Sequence, residues 1–153
     1  MCIRDRDGGT PKLSTMDLIK ILTKQGATPQ EAILLSSIAH PESGMNPYAH
    51  NPNARTGDNS YGLFQINMLG GMGPERLRKF GLKSANDLFD PNTNARVALQ
   101  MLRERGSPKD WTTWKSGKHQ PFLAQSKAAM AEYLNNPDIR NAPVNFEFNK
   151  VRR

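Results

Sequence analysis

The 153-residue chain contains a single cysteine, Cys2, which excludes an internal disulfide framework. Apolar runs are short. None approaches the roughly 18 residues that a membrane-crossing helix requires, so no membrane span is expected. Acidic residues are the scarcer charge, 14 against 21 Lys and Arg, and the net charge of +7 suits an anionic partner. Nucleic acid, a membrane surface and an acidic cell wall all fit that charge. Internal repeats and low-complexity segments are absent, which excludes solenoids. There is no phosphate-binding loop and no GxSxG elbow. His40, His50 and His119 show no ligand spacing with Cys, Asp or Glu, so neither a metal site nor a cofactor is expected.

What is present suits one mainly helical domain. The opening MCIRDR resembles translated sequencing-adapter sequence, so residues 1–12 are expected to be artefact or disordered leader. A domain over 13–135 and a linker or tail over 136–153 are expected to follow. A natural start further upstream, with a signal peptide or other domains, stays open. Ser14 with Asp17 starts a first helix and Gly26 stops it. Thr28, Pro29 and Glu31 supply an N-cap, a first-turn proline and an acidic third residue for a second. Asp90–Pro91 opens a third, closed by Gly106, and Ser107 to Asp110 opens a short one carrying Trp111 and Trp114. Pro121 begins a last helix, with Phe122, Ala129, Met130 and Tyr133 as its buried side. Around 44–62 the residues turn to Asn, Pro, Gly, Asp and Ser, a polar loop or small hairpin. The stretch after it reads as irregular, with GGMG at 70–73 as a flexible lip and Arg76, Arg78 and Lys79 as a solvated basic face. Beyond Asn135, Val144, Phe146 and Phe148 suggest linker or an edge strand.

One position in this pattern is chemically odd. In HPESGMNP, residues 40–47, Glu42 occupies the next slot of the stripe formed by Leu35, Ile38 and Ala39 if the helix runs on one more turn. Pro41 favours a kink or an end just there. A carboxylate at that edge would be partly desolvated and near the negative helix end, and both effects raise its pKa toward that of a general acid. The alternative is a solvated glutamate beyond a broken helix.

A second motif bears on that choice. Glu42, Ser43 and Gly44, followed by Gly62, Leu63, Phe64 and Gln65 within GDNSYGLFQIN, resemble the lysozyme superfamily, most closely the lytic transglycosylase domains of bacteria and phages. LFDPNTNARVAL resembles the helix after the cleft in those domains, and WTTWKSGKH their aromatic segment. The resemblance runs from about Thr28 to Lys118 and implies a lysozyme-like, mainly α (α+β) fold. It implies Glu42 as the catalytic residue, with Ser43 beside it as a substrate contact. The substrate would be the bond between N-acetylmuramic acid and N-acetylglucosamine in peptidoglycan glycan strands, cleaved to 1,6-anhydro ends. Both a bacterial cell-wall enzyme and a module of a larger phage tail or virion protein are expected settings, with the cell wall or periplasm as site of action.

Tyr61 and Phe64 offer flat faces to sugar rings, and Gln65 and Asn67 offer amides to hydroxyl and acetamido groups. The competing reading makes Leu63, Phe64 and Ile66 core and Gln65 a partner of the backbone. Retaining lysozymes of the animal type have an aspartate just before the YG of a similar segment, where Ser60 stands here. Asp58 is the remaining candidate for a second carboxylate, or else a turn former. Trp114 stands near the place of a tyrosine in the family's aromatic segment but lacks its hydroxyl, and packing is the competing role for it and Trp111. A hydrolysing lysozyme and an inactive murein-binding tail module are the runner-up functions. No specific nucleic-acid partner is expected.

Overall fold

The computed structural model describes residues 12–144. Residues outside that range, including the adapter-like opening, Phe146 and Phe148, lie beyond the described residues.

Local capping chemistry sets the first helices. Helix α1 is Thr15–Lys24, and the Ser14 hydroxyl accepts the Asp17 N–H at its start. Helix α2 is Pro29–Ser43 and opens with a reciprocal capping box between Thr28 and Glu31. That box satisfies two of the N–H groups a helix start leaves unpaired. Pro41 lies inside α2, which therefore does not break where the proline suggested. His40, the residue a following proline pushes out of helical geometry, is held by tertiary contacts. Its ring stacks on Phe122 at 4.4 Å and 2°, and its Nε2 lies 3.0 Å from the Thr15 hydroxyl. Gly44 then ends the helix at φ 62°, its N–H bonding the His40 carbonyl.

Three short strands follow: β1 (His50–Asn51), β2 (Ser60–Tyr61) and β3 (Ile66–Asn67). They form an antiparallel sheet in the order β1-β2-β3, pairing His50 with Tyr61 and Tyr61 with Ile66. The expected hairpin is thus present and gains a third strand. Helix α3, Met72–Phe80, occupies the stretch read as irregular, and Arg76 within it is not merely solvated. It is half-buried, and its guanidinium donates to the Asn67 carbonyl at 2.7 Å. A 3-10 turn at Ala85–Phe89 leads to α4, Pro91–Arg105, capped by Asp90 and stopped by Gly106 at φ 70°.

Helix α5 is only Thr112–Lys115, with Trp111 as its N-cap, one turn later than the sequence suggests. A 3-10 turn at Gln120–Phe122 precedes α6, Leu123–Asn135. Helix α7, Pro137–Asn141, packs on α6 in the stretch expected to be linker or edge strand. Its start is a side-chain cap: Asn136 accepts the N–H groups of Asp138 and Ile139.

Helix α2 is the centre of the domain. Leu35, Ser36, Ser37, Ile38 and Ala39 are buried in succession, so every side of this helix is covered there. α1, α4, α5 and α6 all pack on it, and Ser36 meets Ser126 of α6 through a 2.8 Å hydroxyl pair. Leu18, Leu22, Leu35, Ile38, Leu63, Phe64, Leu88 and Val97 have no exposure and form the core. No helix among the described residues is long and apolar enough to cross a membrane.

Candidate active site

The last turn of α2 presents Glu42 toward α5. Its Oε2 accepts a hydrogen bond from the Thr113 hydroxyl at 2.7 Å. Burial raises the carboxyl pKa above its ordinary value, the charge of Asp58 adds to the rise, and hydrogen bonding from Thr113 opposes it. Burial therefore governs this group and outweighs the Thr113 hydrogen bonding. No salt bridge to Glu42 occurs among the described residues. Thr113 carries the hydroxyl that Trp114 lacks, a pairing the sequence did not indicate because the two residues lie on separate elements.

Thr113 is itself fixed from both sides. Before it, Trp111 is 3% exposed, its indole N–H donates to the Phe64 carbonyl at 2.9 Å, and its ring meets Phe64 edge-on at 6.3 Å. After it, buried His119 returns a backbone N–H to the Thr113 carbonyl at 3.3 Å. α5 is thereby pinned to the turn between β2 and β3.

That turn rests on a polar side chain the sequence did not single out. Asn94 of α4, with no exposure, accepts the Phe64 N–H at 3.0 Å and donates to the carbonyls of Tyr61 and Leu88, each at 2.9 Å. Gly62 lies against it at φ 79°, and a Cβ there would overlap the Asn94 amide and the Leu88 carbonyl. Both the left-handed angle and the close approach demand glycine.

The other expected contact residues divide. Phe64 is wholly buried, so its ring is core and not a sugar platform; the correction follows from its packing on Trp111. Ser43 turns its hydroxyl back to the Ala39 carbonyl at 3.1 Å. Asn67 gives its amide to the Gly57 carbonyl and accepts the N–H groups of Asn59 and Leu69, so it shapes the hairpin rather than facing a ligand. Gln65 adopts φ 49°, an angle a non-glycine side chain seldom takes. Its Nε2 donates to the carbonyls of Ala49 and Gly62 at 3.1 and 2.9 Å, while Oε1 has no protein partner among the described residues. Tyr61 is half-buried, stacked on His50 at 4.4 Å and tilted against Phe89 at 5.4 Å. Trp114 is half-buried against the core, beside Thr113. Asp58 accepts the Thr56 hydroxyl at 2.7 Å. Ser60, in the slot of a second acid, is 4% exposed.

Glu42 thus meets α5 through Thr113, and the charge of Asp58, on the β1–β2 loop, acts on it. A cavity of about 310 Å³ between α3 and α4, and one of about 570 Å³ lined by α1, the start of α4, α6 and α7, do not include it. No grouping of His, Cys, Asp and Glu suited to a metal ion occurs among the described residues.

Comparison with known families matches residues 19–116 to a family described as a lysozyme-like domain. Curated proteins and solved structures give no match. The matched span holds Glu42, the sheet, Asn94 and Thr113 together.

Proposed function

The chain belongs to the lysozyme-like domain family, and within it we propose that the protein is a peptidoglycan lytic transglycosylase with Glu42 as sole acid and base. A glycan-cleaving action on peptidoglycan, at the cell wall or periplasm, follows from the membership. The transglycosylase reading rests on one observation: a half-buried glutamate with a raised pKa and a hydroxyl partner, in a chain whose second-acid slot holds Ser60.

Glu42 in its neutral form delivers a proton to the glycosidic oxygen between N-acetylmuramic acid and N-acetylglucosamine as the bond to the anomeric carbon breaks. The carboxylate left behind takes the proton of the muramic 6-hydroxyl while that oxygen bonds to the anomeric carbon. The product is a 1,6-anhydro end, and the glutamate is neutral again. Gln65 Oε1 supplies an acceptor, and Tyr61 and Trp114 supply partly exposed rings, for the flanking sugars.

Asp58 supports a second reading, a hydrolysing lysozyme, because its charge is felt at Glu42 and a paired carboxylate is what a retaining hydrolase uses. Digestion of purified peptidoglycan followed by mass analysis of the muropeptide ends separates the two. Anhydro ends that disappear in Glu42→Gln are the expected result. Reducing ends would transfer the reading to the hydrolase, and an absence of cleavage by the unmutated protein would leave a murein-binding role.

A further inference from the structure

The two oxygens of the Glu42 carboxyl group are not equivalent. Oε2 accepts the Thr113 hydroxyl at 2.7 Å, whereas Oε1 has no hydrogen-bond partner among the described residues. Thr113 in turn makes no other side-chain hydrogen bond, so Glu42 is its hydroxyl's acceptor among the described residues.

We propose that Thr113 is a positioning residue that keeps Oε2 of Glu42 as an acceptor in both charge states, so that the transferable proton leaves from and returns to Oε1. This rests on the reading of Glu42 as acid and base. In the ionised state the hydroxyl must donate, because a carboxylate can only accept. In the neutral state a proton on Oε2 would force the hydroxyl to turn and accept, leaving its own hydrogen without a protein acceptor in a half-buried place. A proton on Oε1 avoids this conflict.

The consequence is economy of motion. A glutamate that serves as acid and then as base would otherwise have to rotate about its last torsion between the two transfers. With Oε2 tethered to a hydroxyl that Trp111 and His119 hold in place, the same oxygen performs both without reorientation. Thr113 reaches the reaction through Glu42 alone.

The test is steady-state cleavage of soluble glycan strands across pH by Thr113→Val, Thr113→Ala and Thr113→Ser, with folding checked by thermal melting. Loss of the hydroxyl is expected to lower kcat about tenfold while KM stays within about twofold, as misorientation of a proton donor does. The alkaline limb of the profile should move to higher pH, because a hydrogen bond favouring the charged form has been removed. Thr113→Ser should restore both kcat and the limb. Carbon NMR titration of the Glu42 carboxyl should show the same upward movement. Unaltered kcat and limb in a folded Val or Ala variant would overturn the proposal. So would a loss that Ser does not restore and that leaves the limb in place, since that marks packing alone. Glu42→Gln in the same assay separates the two levels: if it is inactive while Thr113→Val is normal, only the Thr113 role fails. If Glu42→Gln cleaves like the unmutated protein, the catalytic reading of Glu42 fails.

Discussion

Helix α2 carries a glutamate near each end, and their environments are opposite. Glu31, in the first turn, bonds the Thr28 N–H and receives two hydrogen bonds from Arg103. Those contacts, the Arg103 bond foremost, lower its pKa to about 2. Glu42, in the last turn, has burial raising its pKa and only Thr113 to oppose it. One residue type on one helix is thus fixed as a charge at one end and eased toward neutrality at the other. The partner decides at Glu31 and burial at Glu42: a guanidinium rewards ionisation, whereas a lone hydroxyl opposes the effect of burial without reversing it. A charged glutamate is a structural fastener, whereas a proton donor near neutral pH needs the second kind of surroundings.

Glu42→Gln tests that division most severely: cleavage should fall by about a thousandfold, the scale of a lost general acid, while Glu31→Gln leaves kcat essentially unaltered in the same assay. A smaller but still large effect is expected from making the second end like the first. Thr113→Lys should lower the Glu42 pKa, reduce cleavage about a hundredfold at neutral pH, and shift the remaining activity to lower pH.

The stability effect should reverse the ranking. Glu31→Gln should remove no more than about 1 kcal/mol at neutral pH, because the pair is solvent-exposed, as read from denaturant unfolding. Because the folded pKa of Glu31 lies below its ordinary 4.5, its contribution is present above that value and is lost as pH falls toward about 2. The unmutated protein should therefore lose stability across that window relative to the variant. For Glu42 the sign is opposite. A raised folded pKa makes ionisation unfavourable to the fold, so Glu42→Gln should melt no lower than the unmutated protein at neutral pH. The smallest effect is that of Asp58→Asn. Removing its charge should lower the Glu42 pKa and draw the alkaline limb slightly to lower pH, with kcat changed by less than about threefold in a single-acid mechanism. A collapse of cleavage would instead mark Asp58 as the second carboxylate.

The contrast between the two ends was partly legible in the sequence. Thr28, Pro29 and Glu31 announce their roles within four positions, because capping is local chemistry. Asp90–Pro91 and Gly106 bound α4 for the same reason. Glu42 was legible as an anomaly in an apolar stripe. Its partner was not: Thr113 comes from another helix, and nothing near it in sequence points to a carboxylate. Asn94 hid in the same way, a polar residue on a helix that tertiary contacts turn into a buried hub. α3 was missed because Gly70, Gly71 and Gly73 read as a flexible lip, although Gly71 is its N-cap and Gly73 lies in its first turn. At Pro41 the local rule was overridden by the Phe122 and Thr15 contacts of His40, and at Phe64 core packing displaced the reading as a sugar platform.

The chain's two tryptophans sit on either side of Thr113, one sealed and one not. Trp111 should emit as a shielded, blue-shifted fluorophore whether or not glycan is bound. Trp114 should be the one that iodide quenches, and bound glycan should protect it. Intrinsic emission can therefore report occupancy in unlabelled Glu42→Gln protein, where turnover would otherwise erase the signal.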